Sequence, residues 1–128
     1  MFHIFIIYKI YYMNNEIIIS CNWKMNPSTL EEAIELTKNI IQYSKHISKN
    51  TKVLLIVPFP FIYNVPTLVK NTNILLGGQD CHSELSGPYT RGVSVSMLKS
   101  LGCSHILAGH SERRQLWNDT NKIINKKV

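Results

Sequence analysis

Residues 106–114 read ILAGHSERR, and this stretch joins a short apolar run to a dense group of polar side chains. The run Ile106-Leu107-Ala108 has the apolar character of a buried strand. A glycine ends it, and a histidine, a hydroxyl group, a carboxylate and two guanidinium groups follow without a spacer. Charged side chains directly after a buried strand predict a functional loop at the end of that strand.

Three earlier segments have the same apolar character, and each is followed by apolar residues at helical spacing. The strands lack polar alternation, which favours a parallel sheet covered by helices. This order predicts an α/β fold whose functional residues collect at the carboxyl ends of the strands. The predicted strands are Glu16–Ser20, Val53–Val57, Asn73–Gly77 and His105–Ala108, and the predicted helices run from about Thr29 to Lys45, from Phe61 to Lys70, after Ser94 to Leu101, and onward from about Asp119.

Capping residues predict where the helices begin and end. Ser28 precedes Glu31 by three residues, which is the pattern of a capping box and predicts an N-cap at Ser28. Ser94 is typical of an N-cap, and Gly102 is typical of the residue that closes a helix. Pro66 restricts the start of the second helix.

The composition describes one compact domain of 128 residues with a net charge of +6. This charge favours anionic ligands, from small phosphates to nucleic acid. Because the cationic residues are scattered and no RNA-binding pattern is present, we expect no nucleic-acid partner. Three cysteines without paired spacing argue for a reducing compartment. No apolar run is long enough to cross a bilayer, and we expect no membrane partner.

A zinc site is one alternative for the histidine loop. Its residue types suit Zn²⁺, but their spacing fits no common zinc pattern. Core packing is the simpler explanation for Cys103 and His105, which flank a predicted strand, so we expect no metal. The candidate ligands are Cys81, His82, Cys103, His105 and His110.

Two loops place chemically useful side chains after the first and fourth predicted strands. Lys24 offers a compact positive charge for a phosphate or a developing oxyanion, and Asn22 adds an amide donor. His110 can donate to a carbonyl or transfer a proton. A helical turn that begins at His110 would disfavour the imidazolium and leave a neutral donor. A solvated lysine and a packed histidine are the plainer explanations, and the residues alone leave both open.

Several motifs together resemble the triosephosphate isomerase family. They are NWKMN at 22–26, GGQDCH at 77–82, SGPYT at 86–90, LGCSHILAGH at 101–110 and GHSERR at 109–114, and the similarity runs from about Asn14 to about Asp119. The resemblance implies a (β/α)₈ TIM barrel, of which this chain supplies about the first four β/α units. It also implies a cytoplasmic enzyme of glycolysis and gluconeogenesis that interconverts dihydroxyacetone phosphate and glyceraldehyde 3-phosphate without a cofactor.

The resemblance also implies a role for each matching residue. Lys24 would stabilise the anionic substrate and the enediolate, and Asn22 would contact the substrate. His110 would polarise the carbonyl and move protons between the two oxygens, with Ser111 and Glu112 lying behind these groups. A homodimer would form through the loop at Thr90, which reaches the partner, together with Gln79 and Arg113. Arg113 and Arg114 would be structural.

The chain departs from the family pattern at several points. The glutamate base and the phosphate-binding loops belong to the second half of the barrel, so we expect these 128 residues alone to be inactive. Cys21 replaces a glycine, and the interface loop reads Tyr89-Thr90-Arg91-Gly92 where the family has glycine and then glutamate. A non-catalytic fragment that acts as a binding module is therefore the alternative.

The chain divides into two predicted segments. We interpret residues 1–13 as an N-terminal extension and residues 14–128 as the N-terminal half of a barrel. A half barrel would leave unpaired backbone groups on its two edge strands. We therefore expect marginal stability, aggregation or dependence on a second copy.

Overall fold

The computed structural model describes the backbone of residues 7–13 and 16–128 and the side chains from residue 16 onward. Residues 1–6 and 14–15 of the predicted extension and its boundary lie outside the described residues. The described elements are β1 (Ile7–Met13), β2 (Glu16–Asn22), α1 (Leu30–Ser44), β3 (Thr51–Val57), α2 (Phe59–Ile62), α3 (Val65–Val69), β4 (Ile74–Gly78), α4 (Val95–Ser100), β5 (His105–Ile106), α5 (Ser111–Trp117) and α6 (Asn121–Lys127).

The described strands form one sheet in the order β1-β2-β3-β4-β5. Strands β2 to β5 are parallel, as the apolar strand pattern predicts, and helices follow each of them. The α/β prediction is therefore confirmed. Parallel pairing brings the carboxyl ends of β2, β4 and β5 to one edge of the sheet, where Asn22, Gln79 and Leu107 lie.

The sequence predicted that β2 would be an edge strand with unpaired backbone groups, and this prediction is wrong. Strand β1 pairs antiparallel with β2 along its whole length, from Ile7 opposite Asn22 to Met13 opposite Glu16. The apolar and aromatic composition of residues 7–13 suits a strand, and pairing satisfies backbone groups that the edge of β2 would otherwise expose.

Strand β3 is the centre of the core, because the side chains on both of its faces are buried. Val53, Leu55 and Val57 pack toward the helices, where Trp23 and Leu98 join them. Leu54 and Ile56 pack on the opposite face with Ile18, in a smaller cluster that Leu75 and Leu107 partly cover. This alternation follows from the two-residue period of a strand.

Helix α1 begins one residue later than predicted. Thr29, not Ser28, is the N-cap: its hydroxyl accepts from the backbone N–H of Glu32, whose carboxylate accepts from the backbone N–H of Thr29. Both registers of the capping box are present in the sequence. The structure adopts the later one, in which Thr29 and Glu32 cap each other.

The predicted helix over residues 61–70 is wrong, because two short helices, α2 and α3, occupy this region. Pro60 and Pro66 each lie in a first helical turn, where the missing N–H has no helical partner to lose. Each proline therefore begins a helix of its own. The predicted cap of α4 is confirmed, since the Ser94 hydroxyl accepts from the backbone N–H of Met97.

Two helices follow β5. Helix α6 begins after Thr120, close to the predicted start, and the Thr120 hydroxyl caps it. Helix α5 is absent from the predicted order of elements. No residue of α5 is buried, so its sequence lacks the apolar stripe from which helices are recognised.

Candidate active site

Lys24 and His110 come together at the carboxyl end of the sheet. The Nζ atom of Lys24 lies 2.9 Å from Nε2 of His110. Lys24 is placed by the loop after β2, and His110 by the loop between β5 and α5. Both side chains are largely buried, with 14% and 17% of each exposed. The structure thus joins the two side chains that the sequence singled out.

The main chain of Lys24 has left-handed geometry, with a φ of 58°. For a residue with a Cβ atom this conformation costs about 1–2 kcal/mol. Side chains hold it from two directions. The Lys24 backbone N–H donates to Oδ1 of Asn22 at 2.9 Å, and its carbonyl oxygen accepts from Nε2 of Gln79.

His110 is the N-cap of α5. Its Nδ1 atom accepts from the backbone N–H of Glu112 at 3.2 Å. In a neutral imidazole this bond places the proton on Nε2, whereas acceptance from Lys24 would require it on Nδ1. The helix terminus favours the first tautomer, because it presents N–H groups to Nδ1. Nε2–H is then a donor that faces the same space as the Lys24 ammonium group.

Glu112 lies beside both Lys24 and His110. Its Oε1 atom accepts from Lys24 Nζ at 2.6 Å, and its Oε2 atom lies 3.7 Å from Nδ1 of His110. Half of the Glu112 side chain is exposed. Ser111, the first residue of α5, is also exposed.

A cavity of about 440 Å³ opens onto these side chains. Its lining combines amide, ammonium and imidazole groups with apolar side chains. Such a mixed pocket suits a small polar ligand whose orientation a few donors fix. Its lining includes the polar residues Asn22, Lys24, Gln79, His110 and Glu112 and the apolar residues Pro58, Phe59, Leu107, Leu116 and Trp117.

The residues assigned to a dimer interface lie in three places. Thr90 is exposed in the loop between β4 and α4. Gln79 lies in the site, under the loop of Lys24. Arg113 forms ion pairs within the chain, with Asp80 at 3.1 Å and Asp119 at 3.1 Å. Their roles in a dimer remain predictions.

The interface loop folds against its own chain. The rings of Tyr89 and His82 lie 4.3 Å apart, and the Arg91 guanidinium lies 5.5 Å from the Trp117 ring. Arg91 has a φ of 79°, in the region that favours glycine. The resemblance predicts glycine at this position, so the departure at Arg91 falls on a left-handed residue.

A buried network of charged side chains lies beside the site, and the sequence did not predict it. Lys127 Nζ donates to Asp80 at 2.7 Å and to Asp119 at 2.9 Å, and Arg113 also binds Asp119. Burial alone would raise the pKa of Asp119, but hydrogen bonds from Arg113 and Lys127 and their charges outweigh it and lower the pKa. The network ties α6 to the end of β4. No local pattern could reveal the whole network, since Asp80 and Lys127 lie 47 residues apart.

Arg114 also forms contacts within the chain. Its guanidinium donates to the carbonyl oxygen of Gly109 at 3.1 Å and to Oδ1 of Asn121 at 2.7 Å. These bonds connect the histidine loop to α6. Arg113 and Arg114 therefore both hold this region in place, Arg113 from the side of β4 and Arg114 from the side of α6.

The cysteines are free and carry no sign of a reactive thiolate. Burial raises the pKa of Cys21, Cys81 and Cys103 above the usual thiol value. Among the residues whose placement is described, no three His, Cys, Asp or Glu side chains are grouped to hold a metal ion. In that same part of the chain, no helix is long and apolar enough to span a membrane.

The sequence of this chain is similar to those of known triosephosphate isomerases. A family model described as triosephosphate isomerase matches residues 17–128. The chain is 42% identical over 116 residues to the triosephosphate isomerase of Prosthecochloris aestuarii, covering 91% of this chain and 45% of that protein. For the enzyme of Aquifex aeolicus the identity is 33% over 111 residues, covering 87% of this chain and 44% of that protein.

Solved structures agree with the sequence matches. A crystal structure of triosephosphate isomerase from Bartonella henselae superposes with a TM-score of 0.73 at 35% identity, covering 86% of this chain and 44% of that one. The chain thus spans less than half the length of these relatives, and β2 to β5 with their helices correspond to part of a (β/α)₈ barrel. The chain belongs to the triosephosphate isomerase family.

Proposed function

We propose that this protein acts as a triosephosphate isomerase and interconverts dihydroxyacetone phosphate and glyceraldehyde 3-phosphate. The observation that carries the proposal is the approach of Lys24 Nζ to His110 Nε2, 2.9 Å apart at the mouth of a cavity. An oxygen that contacts both nitrogens from the cavity would accept a hydrogen bond from each. A carbonyl oxygen that gains negative charge during isomerisation is the ligand that this arrangement stabilises most.

The reaction moves one proton from carbon to carbon through an enediolate. A base removes a proton from the carbon beside the carbonyl, and the electron pair moves to the carbonyl oxygen. The Lys24 ammonium stabilises this oxygen, and His110 donates its Nε2 proton to it and then takes up the proton of the neighbouring hydroxyl oxygen. The base returns the abstracted proton to the former carbonyl carbon. Triosephosphate isomerase is itself a standard case of a neutral histidine in this role. The net change is an isomerisation and calls for no cofactor.

The reaction also needs a base and groups that bind the phosphate, and the family has these in a part of its sequence that this chain does not match. The resemblance assigns the glutamate base and the phosphate loops to the second half of the barrel. Glu112 does not replace the base, because it is engaged with Lys24 at 2.6 Å behind His110. General acid–base groups contribute about 10²–10⁴ in rate, so the 128 residues alone are expected to be inactive.

The proposal extends to assembly and location. A homodimer would use the exposed loop at Thr90, and Gln79 and Arg113 would support that face. The protein would act in the cytoplasm, where the reaction belongs to glycolysis and gluconeogenesis. The small phosphorylated substrate would be attracted by the net charge of +6.

The test begins with the intact mass of the protein captured by antibody from its native source, followed by an isomerase assay on the captured protein. We expect a mass near twice the 14.7 kDa of this chain, and conversion of the ketose to the aldose phosphate. A mass of 14.7 kDa without conversion would overturn the proposal and favour the non-catalytic fragment.

A further inference from the structure

Gln79 connects two strands that are not neighbours. It follows β4, whereas the loop that it contacts follows β2, and β3 lies between them. Its Nε2 atom donates to the carbonyl oxygen of Lys24 at 2.5 Å and to Oδ1 of Asn22 at 3.2 Å. A single side-chain amide thus spans the end of β3 and binds the loop of Lys24 twice.

These bonds close a small network around one residue. Oδ1 of Asn22 accepts both from Gln79 and from the backbone N–H of Lys24, which lies 2.9 Å away. The N–H and the carbonyl group of Lys24 are therefore both bound, on the residue whose φ is 58°. An unfavourable backbone conformation persists only where its surroundings determine it, and here the surroundings are two side-chain amides.

The chemistry of position 79 is specific to an amide. Both partners of Nε2 are oxygen acceptors, so the side chain must supply two hydrogens from one nitrogen. An ionised glutamate has the same shape and no hydrogen to donate. Leucine has a similar length and no polar atom.

We propose that Gln79 is a positioning residue that holds the main chain of Lys24 in its left-handed conformation and so directs the ammonium group toward His110. The inference rests on the proposed function, since it assigns to Gln79 the placement of the substrate-binding lysine. It is independent of any role of Gln79 at a dimer interface.

The experiment uses NMR spectra of the native protein and its variants and needs no isomerase activity. At positive φ the amide proton and Hα of one residue lie close together, so Lys24 gives an intense intraresidue NOE. In Gln79→Leu we expect this NOE to weaken and the exchange of the Lys24 amide proton to accelerate by about tenfold. The amide signals of β3 should stay unchanged and report an intact fold.

Two variants complete the design. Gln79→Glu should reproduce the loss without a change of side-chain volume, and it replaces Gln79→Leu if that variant fails to fold. Gln42→Leu, on the exposed face of α1, is the matched control and should leave Lys24 unchanged. Lys24 signals that are unaltered in a folded Gln79 variant would overturn the inference, as would a weak intraresidue NOE in the unmodified chain. Absence of isomerase activity in the native protein would instead overturn the proposed function alone.

Discussion

The ammonium group of Lys24 lies 2.9 Å from the imidazole Nε2 of His110, although 86 residues separate them in the chain. Two features of the fold produce this approach. The left-handed backbone of Lys24 turns its side chain over the end of the sheet, and the start of α5 holds the histidine ring. The ammonium group of Lys24 and the imidazole of His110 therefore line one cavity before any ligand binds. Stabilisation of an oxyanion requires such preorganised donors.

Replacement of Lys24 by methionine should remove the charge and keep the length of the side chain. If the proposed function holds, loss of a donor to the developing oxyanion should lower kcat/KM of the native protein in the isomerase assay by about 10²–10³-fold. Steady-state kinetics with the captured protein and its variant measure the effect. Lys38→Met, on the exposed face of α1, is the control and should leave kcat/KM unchanged. Equal losses in both variants would mean that general charge, not the position of Lys24, attracts the substrate.

The tautomer of His110 is a second prediction. The backbone N–H of Glu112 occupies Nδ1, so the neutral ring should carry its proton on Nε2. The ¹⁵N chemical shifts of the two ring nitrogens distinguish the tautomers directly. A proton found on Nδ1 would instead show that Lys24 donates to Nε2 and that the N-cap bond is absent in solution.

The capping register of α1 can be tested with two neighbouring alanine substitutions. Thr29→Ala removes the hydroxyl that accepts from Glu32, and we expect the free energy of unfolding to fall by about 1 kcal/mol. Ser28→Ala should have a smaller effect, because the Thr29 hydroxyl caps the helix. Urea denaturation followed by circular dichroism measures both. A larger loss in Ser28→Ala would restore the register in which Ser28 pairs with Glu31.

Acid should weaken the charge network at Asp119. Its pKa is lower in the folded chain than in the unfolded one, because the hydrogen bonds and charges of Arg113 and Lys127 outweigh the effect of burial. Its contribution to stability is therefore complete above the ordinary pKa of about 3.9 and is lost as the pH falls through the lower folded value. Asp119→Asn should lower the free energy of unfolding by about 3 kcal/mol at pH 7, since it breaks a buried ion pair.

The difference between Asp119→Asn and the unmodified chain should begin to narrow below about pH 4, where the carboxylate of the unfolded chain becomes protonated while that of the folded chain, with its lowered pKa, is still charged. Denaturant titrations from pH 7 to pH 3 measure this convergence. Glu35→Gln, on an exposed part of α1, serves as the charge-matched control. A loss that is constant over the whole range would show that packing of Asp119, and not its charge, stabilises α6.

The sequence predicted features that depend on neighbours along the chain. Strand β3 was recognisable because residues 53–57 are all apolar, and α4 because Ser94 and Gly102 lie at its two ends. Lys24 and His110 were recognisable because they occur in short motifs after apolar runs. Beyond the turn considered at His110, helix α5 was not predicted, since an exposed helix carries no apolar stripe.

The amino-acid order by itself determined the parallel α/β architecture, because apolar periodicity acts over a few residues, and its motifs singled out Lys24 and His110 through their resemblance to a known family. Only the tertiary structure decided how those side chains are held. The reach of Gln79 across β3, the burial of Lys127 between Asp80 and Asp119, and the pairing of β1 with β2 join segments that are distant or differently oriented. Such contacts arise when strands align and unpaired polar groups find partners, and no local pattern of residues encodes them.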